Sequence, residues 1–325
     1  MISLRGFVAV TIVLLCALVA DALAQSNPEK ALKPEATAVL DKTRETYRNL
    51  AGYHFERVLL VQEGREDGKL ANIAELTLAI ASEHAKPDSG LFLPVNLDRF
   101  LVRTKTKGNE MLQTCDGRIC WSYTTLKNEY MKGQRFRDVN TSVGGSLMLG
   151  VHLFAFMTLE EETLQDVKVA REEEVEVGKG RRNCYVIEGV IPPRPRPRPD
   201  QPPSGRPGVD WFLSILALQG LAGEEGATRY SLWPPDENAA GVGEPTRVTL
   251  WIDQNTHVVV RTKMSGQLYK LRGGKEGQLV EKVAVAVTDS FTTARIDGPP
   301  ADLFDFMPPQ GAKEVPNAAS RRQKQ

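Results

Sequence analysis

The chain has 325 residues, and its 41 Lys and Arg balance 41 Asp and Glu. That balance argues against nucleic acid as a partner, because such affinity comes from neutralised phosphates. Some 300 residues beyond a leader, roughly, suffice for one large domain or two small ones.

The leader comes first in chain order. Met1 to Arg5 carry positive charge, Phe7 to Ala20 are apolar except for Thr11, Asp21 ends the run, and Ala22-Leu23-Ala24 forms an A-x-A site. This is the layout of a secretory signal peptide, and the run is shorter than the ~20 apolar residues of a membrane span. Cys16 follows Leu14-Leu15, where a lipid-anchor signal wants small residues. The expectation is a signal peptide over 1–24, cleaved near Ala24, and a periplasmic or secreted protein. An uncleaved anchor is the alternative.

Pro34 to Leu50 reads as a helix, with Ala36, Val39, Leu40, Thr43, Tyr47 and Leu50 on one apolar stripe. The period then changes from 3.6 to 2. Strands are expected over Gly52–Gln62, Asn72–Ser82 and Leu97–Lys105, the last with Phe100, Val102 and Thr104 facing one way and Arg99, Arg103 and Lys105 the other. Met111–Cys115 and Ile119–Thr125 meet across Asp116-Gly117, a strong hairpin signal. Asp166–Val177 with Arg182–Val190, and Arg247–Asp253 with His257–Met264, form two more hairpins, and Val280–Thr293 is the final strand. Sequential hairpins with short turns predict an antiparallel meander with one apolar face.

Three stretches break this pattern. Ser146–Leu159 is strongly apolar and reads as a short buried helix, and Pro192–Gly208 is Pro- and Arg-rich and should be extended polyproline II. Asp210 can cap a helix over Trp211–Gln219 that stops at Gly220. Residues 222–245 read as a loop and 316–325 as a disordered tail.

Cys115 and Cys120 would face each other across the hairpin and are a disulfide candidate, favoured by export to an oxidising compartment. The alternative is that both, with Cys184, are small core hydrophobes. Cys-x4-Cys has no second ligand pair nearby, so no zinc, other metal or cofactor is expected.

Catalytic motifs are missing. Gly144-Gly145-Ser146 lacks the closing glycine of a nucleophile elbow, and Gly273-Gly274-Lys275 reads as a turn between strands. None of His54, His84, His152 and His257 lies four residues from another, and neither Glu160-Glu161-Glu162 nor Glu172-Glu173-Glu174 resembles a tuned carboxylate pair. The reading is therefore binding rather than catalysis. A single antiparallel sheet has one apolar face, and a few short helices cover it incompletely, leaving a groove fit for acyl chains. A fully packed core is the alternative.

Four segments, in order, resemble the LolA/LolB superfamily of exported lipoprotein carriers. They are Leu50-Ala51-Gly52-Tyr53 after the first helix, CDGRICWSYTTLKNEYMK (115–132), VTLWIDQNTHVVVRTKM (248–264) and LFDFMPPQGAKEV (303–315). The resemblance spans 34–315 with gaps, and Trp121 and Trp251 match family strand positions. It implies an α+β, mostly antiparallel fold: a curved half-barrel with helices over its concave face, in a single domain over 25–315. It also implies binding of lipid or lipoprotein acyl chains in that concavity, with a membrane-anchored donor or acceptor protein as a further partner. Residues 191–245 depart from the family as a long insertion. Its helix 211–219 reads either as a lid, with Arg194, Arg196, Arg198 and Arg206 meeting anionic headgroups, or as permanent core. The candidate groove residues are Phe100, Val102, Trp121, Tyr123, Phe154, Phe156, Phe212 and Leu216. The rival readings are an envelope sensor or scaffold of RseB-like type and, less favoured, a hydrolase.

Overall fold

The computed structural model describes residues 35–64, 68–84, 96–106, 108–139, 164–192, 229–231, 244–271 and 279–317. The leader over 1–24, the helices expected over 146–159 and 211–219, and nearly all of the proline-rich arm lie outside these residues. Ala36–Gln325 forms one unit, separate from Met1–Glu35.

The apolar stripe becomes helix α1, Ala36–Arg48, which buries Ala36, Val39, Leu40, Thr43 and Tyr47. Thr43, inside the helix, satisfies its hydroxyl by donating to the Val39 carbonyl at 2.9 Å. The C-terminal turn of α1 is pinned to the sheet: the Val259 N–H donates to the Tyr47 hydroxyl at 3.2 Å, and Thr46 Oγ1 donates to the Thr256 carbonyl at 3.3 Å.

Strands follow in chain order: β1 (Tyr53–Gly64), β2 (Leu70–Ser82), β3 (Arg99–Thr106), β4 (Asn109–Asp116), β5 (Cys120–Thr124) and β6 (Glu129–Gly133). A short helix α2 (Phe136–Val139) comes next. It is followed by β7 (Gln165–Val177), β8 (Gly180–Ile191), β9 (Arg229–Ser231), β10 (Thr246–Asp253), β11 (Val259–Leu271), β12 (Leu279–Arg295) and β13 (Lys313–Glu314). β9 falls within the stretch read from sequence as loop, and β6 and β13 are strands that the periodicity did not announce. All 13 belong to one sheet in the order β13-β6-β5-β4-β3-β2-β1-β12-β11-β10-β8-β7, with β9 paired to β11. Every pairing is antiparallel except β13 on β6. The fold is α+β and mostly antiparallel, and its sheet is an open, curved half-barrel.

Two turns show how the sequence sets these hairpins. Asp116 Oδ1 accepts from the N–H groups of Arg118 and Ile119 at 2.7 and 2.8 Å, and Gly117 supplies the positive φ of 95°. Asp253 Oδ1 does the same for Asn255 and Thr256, both at 2.8 Å. The curvature is visible at Gly178. In a flat sheet β7 would lie four strand spacings, ~19 Å, from β12. Instead a Cβ on Gly178, just past β7, would stand 2.5 Å from the Thr292 carbonyl oxygen of β12. Breaks in register at Glu56/Arg57 of β1, Trp251/Ile252 of β10 and twice in β7 supply the bending that this closure needs.

Candidate functional site: the inner face of the sheet

The face of β1 that packs on α1 carries Phe55, Arg57, Leu59 and Val61, all buried, with Phe55 and Tyr47 ring centroids 6.3 Å apart. Register extends this inner face across both neighbours. On β2, Ile80, Leu78 and Leu76 stand opposite Phe55, Arg57 and Leu59. On β12, Phe291, Asp289 and Val287 stand opposite Arg57, Leu59 and Val61. It continues through Met264 and Leu268 of β11 to Val248 and Leu250 of β10 on one side, and through Phe100 and Val102 of β3 on the other. Alternation in the sequence produces this surface, since every second residue of each strand joins it. Near the end of β11 a partly exposed ion pair, Lys270 to Glu63 at 2.6 Å, sits on the same face.

Two of the polar interruptions of this face lie deep within it. At its centre, Arg57 Nη1 donates to Asp289 Oδ2 at 2.8 Å, with both side chains at most 1% exposed. Burial opposes both charges, drawing the Arg57 guanidinium down and pushing the Asp289 carboxyl up, while each partner's charge acts against that shift. The Arg57 guanidinium also lies 5.7 Å from the Phe291 ring centroid. Burial pushes the nearby Tyr47 hydroxyl up. The second place is on β3 and β4, where Thr104 and Gln113 face inward at 3% and 1% exposure. Sequence reading placed Thr104 on this face but passed over Arg57, Asp289 and Gln113. Their signal was available: each interrupts a period-2 apolar run, Phe55-x-Arg57-x-Leu59 and Val287-x-Asp289-x-Phe291 among them.

Phe100 and Val102 lie on the inner face, 1% and 2% exposed, and Phe100 meets the Phe136 ring of α2 edge-on at 5.3 Å. Trp121 and Tyr123 do not lie there, which corrects their expected place in the groove. Phe100 pairs with Cys115 and Cys115 with Cys120, so the inner-face positions of β5 are Cys120 and Ser122, and Trp121 and Tyr123 point to the opposite face. There Trp121 and Tyr123 pack on Phe306 with centroids 5.8 and 5.7 Å away, and Tyr123 donates to Asn128 Oδ1 at 3.1 Å. Around them a second cluster of Ala81, Leu101, Leu112 and Phe304 is covered by the C-terminal segment. That segment is tied down by bonds from Asn128 Nδ2 to the Gly311 carbonyl and from the Lys313 N–H to the Asn128 carbonyl. Aromatic character suggested a ligand surface, but tertiary packing gave these rings to a strap. Phe154, Phe156, Phe212 and Leu216 lie outside the described residues.

A disulfide joins Cys115 to Cys120 across β4 and β5, with Cα atoms 4.1 Å apart. Cys184 is a buried free thiol, and burial pushes it up to about 12, so almost none is thiolate near neutrality. Among the described residues no cluster of acids, histidines and cysteines could hold a metal ion. No helix among them is long and apolar enough to cross a membrane.

No family profile matches the chain, and no curated protein matches it. Solved structures do. The chain is similar to a LolA superfamily protein from Nitrosomonas europaea, at 9% identity and a TM-score of 0.22, covering 84% of this chain and 98% of that one. It is similar to a DUF1329 family protein from Desulfovibrio piger at 12% identity and a TM-score of 0.27, with 84% and 98% covered. It is also similar to LprF from Mycobacterium bovis at 12% identity and a TM-score of 0.32, with 85% and 97% covered. Likenesses of this degree carry no argument about function, which rests instead on the geometry of the inner face.

Proposed function

We propose that this chain is a binding protein for the acyl chains of lipids or lipoproteins, which it takes up against the inner face of its sheet and carries outside the cytoplasm. The observation that supports this is the extent of that face relative to its helical cover. From β4 to β10 it crosses six strand spacings, ~29 Å, whereas α1, with 13 residues, is ~20 Å long and ~10 Å wide. The apolar side chains of β2, β3, β11 and β12 extend beyond α1 and are themselves buried, so a guest would take the place of what now covers them. A chain of ~16 carbons laid on such a surface gains on the order of 12 kcal/mol, at ~0.8 kcal/mol per CH2, before ordering costs. The signal-peptide layout of residues 1–24 supports an exported site of action.

Native mass spectrometry of the protein, purified from an envelope fraction without detergent, tests this reading. The expected result is a set of non-covalent adducts at lipid masses. A clean apo mass, together with no uptake of a fluorescent fatty acid, overturns it.

A further inference from the structure

The pair on β3 and β4 goes beyond acyl-chain binding in general. Thr104 Oγ1 and both amide atoms of Gln113, Oε1 and Nε2, are buried with no hydrogen-bond partner among the described residues. Native interiors satisfy nearly all such groups, and an orphaned donor and acceptor on one side chain is an expensive arrangement to keep. The two residues are diagonal neighbours on the inner face: Val102 pairs with Gln113 and Thr104 with Met111. On its other side, Gln113 pairs with Ser122 of β5. These flanking residues are all neutral, so a charged headgroup would find no counter-ion among them. Apolar surface adjoins the pair directly, in Val102 of β3 and in Ile80 and Leu78 of β2.

We propose that Gln113, with Thr104, is a recognition site for a neutral amide within the bound lipid, so that the preferred guest is N-acyl rather than O-acyl. This rests on the acyl-chain reading above and narrows it. A carboxamide carries an NH2 donor group and an acceptor oxygen side by side. A trans secondary amide in the ligand presents its N–H and its carbonyl on opposite edges, so its N–H donates to Gln113 Oε1 and its carbonyl accepts from the Thr104 hydroxyl. An ester carbonyl can accept from Thr104 in the same way, but an ester has no N–H and leaves Gln113 Oε1 bare.

The test compares two probes of equal chain length and nearly equal shape, N-methylpalmitamide and methyl palmitate. Each competes with a fluorescent fatty acid for the full mature chain and for its Gln113→Leu variant. The expected result is that the substitution weakens the amide roughly 3- to 10-fold more than the ester, the worth of one additional hydrogen bond. Gln113→Met, unbranched and without donor or acceptor, makes the same comparison where the leucine fails to fold. Equal weakening of both probes, or no change in either, overturns the amide site and leaves the acyl-chain reading standing. Failure of the unsubstituted protein to take up either probe overturns both.

Discussion

Two of the polar intrusions on the inner face are treated differently. Arg57 and Asp289 meet at 2.8 Å in the middle of the apolar surface, each supplying the other's counter-charge. Thr104 and Gln113 are equally hidden, but Thr104 Oγ1 and both Gln113 amide atoms have no hydrogen-bond partner among the described residues. A buried ion pair whose charges neutralise each other belongs to the architecture: it joins β1 to β12 across 232 residues of sequence, although Asp289 Oδ1 has no hydrogen-bond partner among the described residues. A neutral donor and acceptor left unanswered is costly to the empty protein and free to serve a guest. The difference separates a residue that holds the sheet together from one available for recognition, although alternation places both on the same face.

The largest expected effect comes from breaking the first of these. Arg57→Met leaves Asp289 buried without its cation and should cost about 3–5 kcal/mol of stability. Joining it to Asp289→Leu should recover most of that loss, since two apolar side chains of similar volume suit the same site. Chemical denaturation of the single and double variants measures both values. A double variant no more stable than the single one would mean that the pair has a role beyond mutual neutralisation.

A smaller effect sharpens the second. The Cys115–Cys120 bridge clamps the β4–β5 hairpin two residues from Gln113. Replacing both cysteines by alanine should cost about 2 kcal/mol, from the loop-entropy relation for so short a loop. Hydrogen exchange should then speed up in β4 and β5 before it does in β1 and β12. Uniform acceleration across the sheet would show that the two halves open as one.

The smallest effect concerns Cys184, a third buried group that neither intrusion touches. Its thiol, pushed up to about 12 by burial, should resist alkylation at pH 8 in the native protein and react once denaturant unfolds it. Its folded-state value lies above that of a free thiol, so raising the pH from 8 to 9 should leave native labelling negligible. Prompt labelling at pH 8 would show that burial does not silence the site.

The sequence by itself determined the local elements. The 3.6-residue stripe from Ala36 to Tyr47, the alternation of Phe100, Val102 and Thr104, and the Asp116-Gly117 and Gln254-Asn255 turns depend on neighbours in the chain, so their chemistry is legible there. Only the tertiary structure decided how those strands were ordered and what each face met. It put β12 beside β1, rolled Gly178 onto Thr292, turned Trp121 and Tyr123 under the C-terminal strap, and brought Arg57 to Asp289. The physical reason is that period 2 tells which residues share a face but not which of the two faces is inner. That choice is settled by partners distant in sequence, whose packing no local pattern records.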